Sequence, residues 1–502
     1  MEFLDSLILG FSTAATPTNL LFCLIGALLG TLIGVLPGIG PTATLAILLP
    51  ITFFLPPLAA LIMLAGIFYG AQYGGSTTAI LVNLPGEASS VVTALDGYQM
   101  AKQGRAGAAL AIAALGSFFA GTVSTIGLAV AGPTLASFAL DFGPAEYFSL
   151  TVFGLLCATI LASGSVIKAI GMIGIGLLLG WVGTDVNSGS ERLTFGAVEL
   201  FDGIEFVVIA VGLFGIAEII TNLESPETRG LIATKITRLW PTREDFRKAW
   251  PAVLRGTGLG TFLGILPGGG ATLSAFSAYT LEKKVSRRPQ EFGRGAIQGV
   301  AGPEAANNAG AQSSFIPLLT LGIPSNAVMA MLLGAMTIHG ITPGPSVMHN
   351  QPDLFWGLIA SMWIGNLMLL VINLPLIGLW VKLLTVPYRL LYPAILLFCC
   401  VGVYSVSNRA FDVALAVGFG FLGYLFRKAK CEPGPLLLGF VLGPLLETNL
   451  RRAMLISQGS PTVFIERPIS LVLLLASLAL FILLLVPAIR KTREDAFVEE
   501  EA

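Results

Sequence analysis

Apolar residues along this chain gather into stretches of about 20, separated by short polar links, and at helical rise each stretch reaches across the roughly 30 Å hydrocarbon core of a bilayer. Roughly a dozen such stretches are present, and they lack the short alternating segments of a membrane β-barrel. The pattern predicts a hairpin over 18–57, an interrupted region over 58–95, and helices near 106–131, 145–163, 166–183 and 204–222. An amphipathic linker over 223–250 follows, then a second hairpin over 253–282, a second interrupted region over 296–338, and helices near 354–381, 391–407, 411–426, 434–448 and 469–489. The segment 434–467 is open between one crossing and a dip and return, because a simple crossing would put Arg451, Arg452 and Arg467 on the outer side, against the usual charge bias. The expected fold is an all-α polytopic membrane protein with about 10–12 transmembrane helices.

Composition agrees. Of 502 residues, 55% are hydrophobic and only 11% charged, against roughly 25% charged in soluble domains, and the mean hydropathy is +0.84. The net charge of −1 offers no basic face to nucleic acid. No lysine or arginine precedes Lys102, so the apolar start has no basic leader region and a removable signal peptide is not expected. Five cysteines show neither a CxxC pair nor a metal-ligand spacing and read as reduced packing residues. HExxH, a P-loop and an intramembrane Ser/His pair are all missing, which points away from an enzyme and toward transport driven by a gradient or a partner.

Two of the apolar stretches are broken by glycine and proline, at matching places. GTLIGVLPGIGPT (Gly30–Thr42) recurs 230 residues later as GTFLGILPGGGAT (Gly260–Thr272), identical at eight of thirteen positions without a gap. YGAQYGGSTTAILVNLPGEAS (Tyr69–Ser89) has a looser counterpart in AGAQSSFIPLLTLGIPSNAV (Ala309–Val328), with GAQ and then a Pro-centred break in both. Basic residues flank the second hairpin on both sides (Arg229 to Arg255, then Lys283 to Arg294), whereas the first has none on either flank. Link 96–107 carries Lys102 and Arg105, and link 339–353 carries no lysine or arginine. The charge bias therefore predicts two inverted-topology repeats, each with a re-entrant Gly/Pro hairpin and an interrupted helix. The implied division is 1–222 and 251–466 for the repeats, 223–250 for a cytoplasmic linker, and 467–502 for the last helix and an acidic cytoplasmic tail.

Unwound backbone at membrane depth persists only where it is buried in protein or lines a wet cavity, so the breaks predict a cavity. Glycines let backbone approach a ligand, and the helix that starts after each tip presents N–H groups suited to an anion. The bland alternative is that the glycines only permit close helix packing. Candidate substrate-binding residues are Gly38, Gly40, Thr42, Thr44, Asn83 and Gly86 in the first half, and Gly268, Gly269, Gly270, Thr272, Ser274, Ser325 and Asn326 in the second. No lysine or arginine occurs in residues 1–101 or 295–381, so a bound carboxylate has no basic clamp and would need co-bound cations. Candidates for holding a coupling cation are Ser76, Thr77, Thr78, Glu304, Asn307, Asn308 and Gln312. Glu304 reads either as a cation or proton carrier or as part of a wet cytoplasmic arm. His339 and His349 read as solvated residues of the outer link.

Taken with DGYQMAKQGRAG, PEAANNA, LGIPSN, HGITPGP and LGFVLGPLLETNLRRA, these motifs resemble, over nearly the whole chain, the large membrane subunit of the tripartite tricarboxylate transporters. The resemblance implies a bacterial inner-membrane carrier for carboxylates such as citrate, driven by Na⁺ or H⁺ symport and needing no other cofactor. It implies two partners, a small four-helix membrane subunit and a periplasmic solute-binding protein, and a homodimer of the membrane complex is a further expectation. The inferred fold is similar to that of elevator-type carriers, by analogy alone. A passive anion pore and a non-translocating assembly subunit are the rival readings.

Overall fold

The computed structural model describes residues 3–36, 40–161, 165–185, 187–224, 239–266, 269–383 and 388–485. Almost all of it is helix, and among the described residues the only sheet is a two-residue antiparallel pair, β1 (Gly183–Thr184) with β2 (Glu191–Arg192). Among the described residues, six helices are long and apolar enough to cross a membrane. The second arm of each hairpin and the piece that resumes after each break are shorter, at 12 to 15 residues, too few to cross alone.

The first half opens with α1 (Phe3–Ala14), which the apolar pattern did not separate, followed by the hairpin arms α2 (Pro17–Val35) and α3 (Pro41–Thr52). Proline stands at the start of α2, α3 and the next helix, where its missing N–H costs nothing. That helix, α4 (Pro57–Val82), breaks and resumes through a short turn, Ala88–Ser90, as α5 (Val91–Lys102). Then come α6 (Ala106–Leu140), α7 (Pro144–Leu161), α8 (Val166–Gly180), and α9 (Phe206–Ala210), which passes through a π-helical turn at Val211–Ile216 into α10 (Ala217–Glu224).

The second half repeats the order. α11 (Arg243–Ile265) and α12 (Ala271–Val285) are the hairpin arms, α11 starting within the stretch read as linker and held by Thr242, whose hydroxyl accepts from the Asp245 N–H. The broken helix is α13 (Gln298–Ser313) with α14 (Phe315–Leu321), then α15 (Ala327–Ile338). After α16 (Ser346–Asn350) follow α17 (Pro352–Asn373), α18 (Ile377–Leu383), α19 (Tyr388–Ser407), α20 (Ala410–Lys428), α21 (Pro433–Ile456), α22 (Val463–Glu466) and α23 (Pro468–Leu485).

Glycines place the hairpins against the broken helices. Gly26, Gly30 and Gly34 recur every fourth residue on α2, and a Cβ on each would lie 2.4 Å from the carbonyl oxygens of Met63, Ile67 and Ala71 on α4. Gly256, Gly260 and Gly264 on α11 stand in the same relation to Gly302, Ala306 and Gly310 of α13, at 2.3 to 2.4 Å. Backbone thus lies directly on backbone along both seams, the arrangement small residues permit.

The ends of the two hairpins meet different parts of the chain. Arg105, just before α6, pairs with Asp245 at the start of α11, and Tyr279 of α12 donates to Asp96 of α5 at 3.0 Å. Arg255 and Glu282 join the two arms with bonds of 2.7 and 2.6 Å. Both ends of the second hairpin therefore lie beside the C-terminal end of α5. The first hairpin instead begins beside the start of α17, where Thr13 lies next to Gly357, and ends beside His339, which packs on Thr52. Contacts between the halves are reciprocal: α12 packs on the Ala88–Ser90 turn, and α3 packs on α15.

The open segment 434–467 is settled as one helix, α21, followed by the short α22. Two of its three arginines, Arg451 and Arg467, have acidic partners, Arg467 meeting Glu146 at 3.9 Å. Arg451 meets Asp185 at 3.0 Å and Glu447 at 2.6 Å, and Arg192 meets Glu447 at 2.8 Å. The Asn187 backbone N–H, together with Arg451 and Ser188, holds the Asp185 carboxyl down at about 2. Near-neutral clusters of this kind relieve the conflict with the charge bias that the bare sequence presents.

Candidate functional site

The two breaks share one backbone geometry. α4 ends at Asn83 in the left-handed region (φ 56°), and α14 ends at Gly322 (φ 72°), 239 positions later. Pro85 and Pro324 follow at the same separation, and then Glu87 (φ −153°, ψ 165°) and Asn326 (φ −156°, ψ 176°) precede the resumed helices. The GAQ motifs suggested a separation of 240, so the correct register differs by one residue and sets Glu87 opposite Asn326. Asn326 Oδ1 accepts from the Met329 N–H at 3.0 Å and so caps α15.

Glu304 lies where the two broken helices cross, on α13, with a relative exposure of 1%. The reading of it as part of a wet arm is thereby set aside. Ser76 of α4 donates to one carboxyl oxygen and Thr93 of α5 to the other, both at 2.5 Å. No lysine, arginine or histidine pairs with it among the described residues. One turn on, the Asn308 amide donates to Ser117 Oγ of α6 at 2.7 Å and to the Glu304 carbonyl at 3.1 Å. Asn307 donates to Glu87 Oε1 at 3.4 Å, while its own Oδ1 is buried without a partner, as is Gln312 Oε1. Ser89 Oγ sits between Glu87 Oε1 and Gln72 Oε1, and has only one proton for two acceptors. Of the seven cation candidates, Ser76, Glu304, Asn307 and Asn308 thus come together. Thr77 and Thr78 direct their hydroxyls to backbone, Thr77 to Tyr73 and Thr78 to Gly34 and Gly74. A small crevice of about 20 Å³, room for a single water, opens beside Glu304 among Ser76, Thr77, Ser117 and Asn373, whose Oδ1 is also unpartnered.

The candidate anion residues fall into two groups, one at each hairpin tip. Gly38 and Gly268 lie outside the described residues. Gly40 caps α3, and a Cβ there would meet nothing within 4 Å, so this tip is open on that side. Gly86 is pressed on the same hairpin, its Cβ position 1.9 Å from the Gly34 carbonyl oxygen. At the second tip Gly270 takes φ +98°, and a side chain there would collide with the Asn326 amide, while Gly269 sits 2.0 Å from the Leu263 oxygen by the same measure. Asn326 also donates to Ser314 Oγ at 3.3 Å and Ser325 to the Ser314 carbonyl at 3.5 Å. Thr44 and Ser274, matched in the two halves, each donate to the carbonyl four residues back, Gly40 and Gly270, which turns their hydroxyls toward their own helix starts. Thr42 and Thr272 are half-buried at those starts. Asn83 is exposed, and its contribution is the left-handed turn rather than a side-chain bond. Each hairpin therefore contacts the break of its own half, the first through Gly34 near the end of α2 and the second through Gly270.

Glu87, Gln72, Thr93, Ser117 and Asn373 were missed by sequence reasoning. Glu87 had a signal: aligning the breaks on their prolines, rather than on GAQ, places it opposite Asn326, which was chosen. Asp96 was also missed. It is fully buried and accepts from the Gly295 and Ala296 N–H groups at 2.8 Å and from Tyr279, tying α5 to the start of α13.

The profile of the Tripartite tricarboxylate transporter TctA family matches residues 20–438. An uncharacterized 52.8 kDa protein in the TAR-I ttuC′ 3′ region of Agrobacterium vitis is 61% identical over 501 residues, covering all of both chains. A second uncharacterized protein, in the TAR-II ttuC′ 3′ region of the same organism, is 60% identical over 242 residues, its whole length and 48% of this chain. No solved structure matches.

Proposed function

The chain belongs to the Tripartite tricarboxylate transporter TctA family, and we propose that it is the substrate-translocating subunit of a secondary carrier that imports carboxylates with Na⁺ or H⁺. Membership makes it a multi-pass membrane subunit of a tricarboxylate transporter that works with other subunits. The finer reading is carried by the Glu304 cluster: a carboxylate at the crossing of two broken helices, bonded by hydroxyls, with no basic partner among the described residues. A permanent ion pair would keep such a group inert, whereas a carboxylate held only by hydroxyls can exchange a monovalent cation. The Gly/Pro tips supply neutral backbone donors for the anionic substrate, and the cation balances its charge. Hairpins that start from opposite ends of the α4–α5 unit support the inverted-repeat reading, and with it movement of the hairpins and broken helices against the remaining helices.

In this scheme the chain sits in the bacterial inner membrane, a periplasmic binding protein delivers the carboxylate, and a small four-helix subunit completes the complex, which is dimeric. The test is reconstitution of the chain with both partners and labelled citrate, under an imposed Na⁺ gradient, an H⁺ gradient or neither. Accumulation under one gradient is expected, and Gly38→Val or Gly268→Val should abolish it while the protein still inserts. Uptake that only equilibrates under every condition would replace the carrier with a passive pore. If both valine variants transport normally, the backbone cradle is wrong.

A further inference from the structure

The two breaks match in backbone geometry and differ in one chemical respect. At the position just before the resumed helix the second half has Asn326, permanently neutral, and the first has Glu87, which can carry charge. Both residues follow a left-handed turn and a proline at the same spacing, so the acid is not required by the backbone. A neutral amide already serves in the identical place.

What surrounds Glu87 is built for exchange of a cation. Asn307, fully buried on α13, touches Glu87 with its amide nitrogen, and the carbonyl oxygen of the same amide has no partner. Ser89 has one proton for two acceptors, Glu87 and Gln72, so an added proton or metal ion would complete the set. Glu304 lies one turn before Asn307 on the same face of α13, and Ser76, which binds it, neighbours Gly75, whose Cβ position is 2.9 Å from Glu87 Cγ. Glu304 from α13 and Tyr73 from α4 are the titratable groups that face this spot. Asp96 and Tyr279 are bonded to each other further along α5 and α12, and α2 offers only Cys23.

We propose that Glu87 is the entry ligand of a monovalent-cation site, completed by the Asn307 and Gln72 side-chain oxygens and shared with Glu304, and that the coupling ion is bound at the break of the first half and not at the matching break of the second. This rests on the carrier reading given above. Glu87 is partly exposed at the break and Glu304 is buried deeper, so the ion passes from the more exposed acid to the buried one. Because Gly86 lies directly on Gly34, filling the site also fixes the first hairpin tip, which links ion occupancy to the anion cradle.

The test uses the full chain purified in detergent, without substrate or partner, so its result does not depend on transport. Thermal unfolding is followed as NaCl replaces choline chloride at constant pH, and separately as pH falls without Na⁺. The wild type should be stabilised by one of the two cations, which identifies it. Glu87→Asn, which copies the matched residue of the other half, should lose that stabilisation or need about tenfold more cation. If Glu87→Asn yields no folded chain, Glu87→Gln and Asn307→Ala carry the same test. A wild type indifferent to both cations, or variants at Glu87 and Asn307 with the wild-type response, would overturn the site. Failure of citrate accumulation with an intact cation response would instead overturn the carrier reading and leave the site standing.

Discussion

Gly260 and Gly258 lie two residues apart on α11 and face different surroundings, which makes them a controlled pair. A Cβ on Gly260 would sit 2.3 Å from the Ala306 carbonyl oxygen, 2.7 Å from its Cα and 2.9 Å from its carbonyl carbon. All three are backbone atoms of α13 and cannot swing aside. Since carbon does not approach oxygen closer than about 3 Å, Gly260→Ala forces α11 and α13 apart by roughly 0.7 Å or more, and overpacking of this kind costs about 1–3 kcal/mol. A Cβ on Gly258 would meet nothing within 4 Å. Alanine gains about 1 kcal/mol of helix propensity over glycine at either site, so that gain cancels when the variants are compared with each other. Gly260→Ala should therefore be less stable than Gly258→Ala by about 1–3 kcal/mol, measured as unfolding midpoints in one detergent. Equal stability would show that the seam has slack and that its glycines are not there for contact. Uptake should follow the same order, because the seam sets the depth of the second hairpin tip.

The remaining predictions concern charge and sidedness. The Asp185 carboxyl is held down at about 2, against the ordinary carboxylate value near 3.9 in the unfolded chain, so it contributes stability above pH 4 that is lost as pH falls toward 2. Asp185→Asn should flatten the acid side of the stability profile between pH 4 and 2, and an unchanged profile would remove Asp185 from the cluster's function. For sidedness, single cysteines at Phe54 and Ser188 should react with an impermeant thiol reagent applied to intact cells, and one at Gln290 only after the membrane is opened, in a chain whose own cysteines are replaced. Equal access to positions 54 and 290 would contradict the inverted arrangement of the hairpins.

Fold class was legible because apolar length and Gly/Pro punctuation are local properties. The long spans α4, α6 and α17 fall near their expected places, and the paired breaks are evident from the sequence. α1 was not separated, since its twelve residues, with Asp5 in the first turn, are too few for a crossing. α21 stayed open because three arginines argued against a crossing, and only the fold shows that Asp185 and Glu447, distant in sequence from one another, pair with Arg451. At the site, Glu304 and its amide neighbours stood out as polar residues in apolar company. Glu87 did not, because an acid in a Gly/Pro-rich break reads as an ordinary loop residue until three-dimensional matching puts it opposite Asn326. Thr93 and Ser117 were hidden by the same limit: a hydroxyl on a helix usually serves its own backbone, and which ones reach across to a carboxylate depends on helix crossings.

α6 runs unbroken for 35 residues, about 52 Å at helical rise, well beyond the thickness of a bilayer core. It touches α4, α5, α11, α13, α14 and α17. A rod longer than the slab it crosses either projects beyond it or leans, and a leaning rod converts sideways sliding into a change of depth. If the hairpin units travel as one piece and α6 leans, α6 would be the rail along which they climb, and its slope would set how far a given lateral shift carries the bound anion toward the opposite surface.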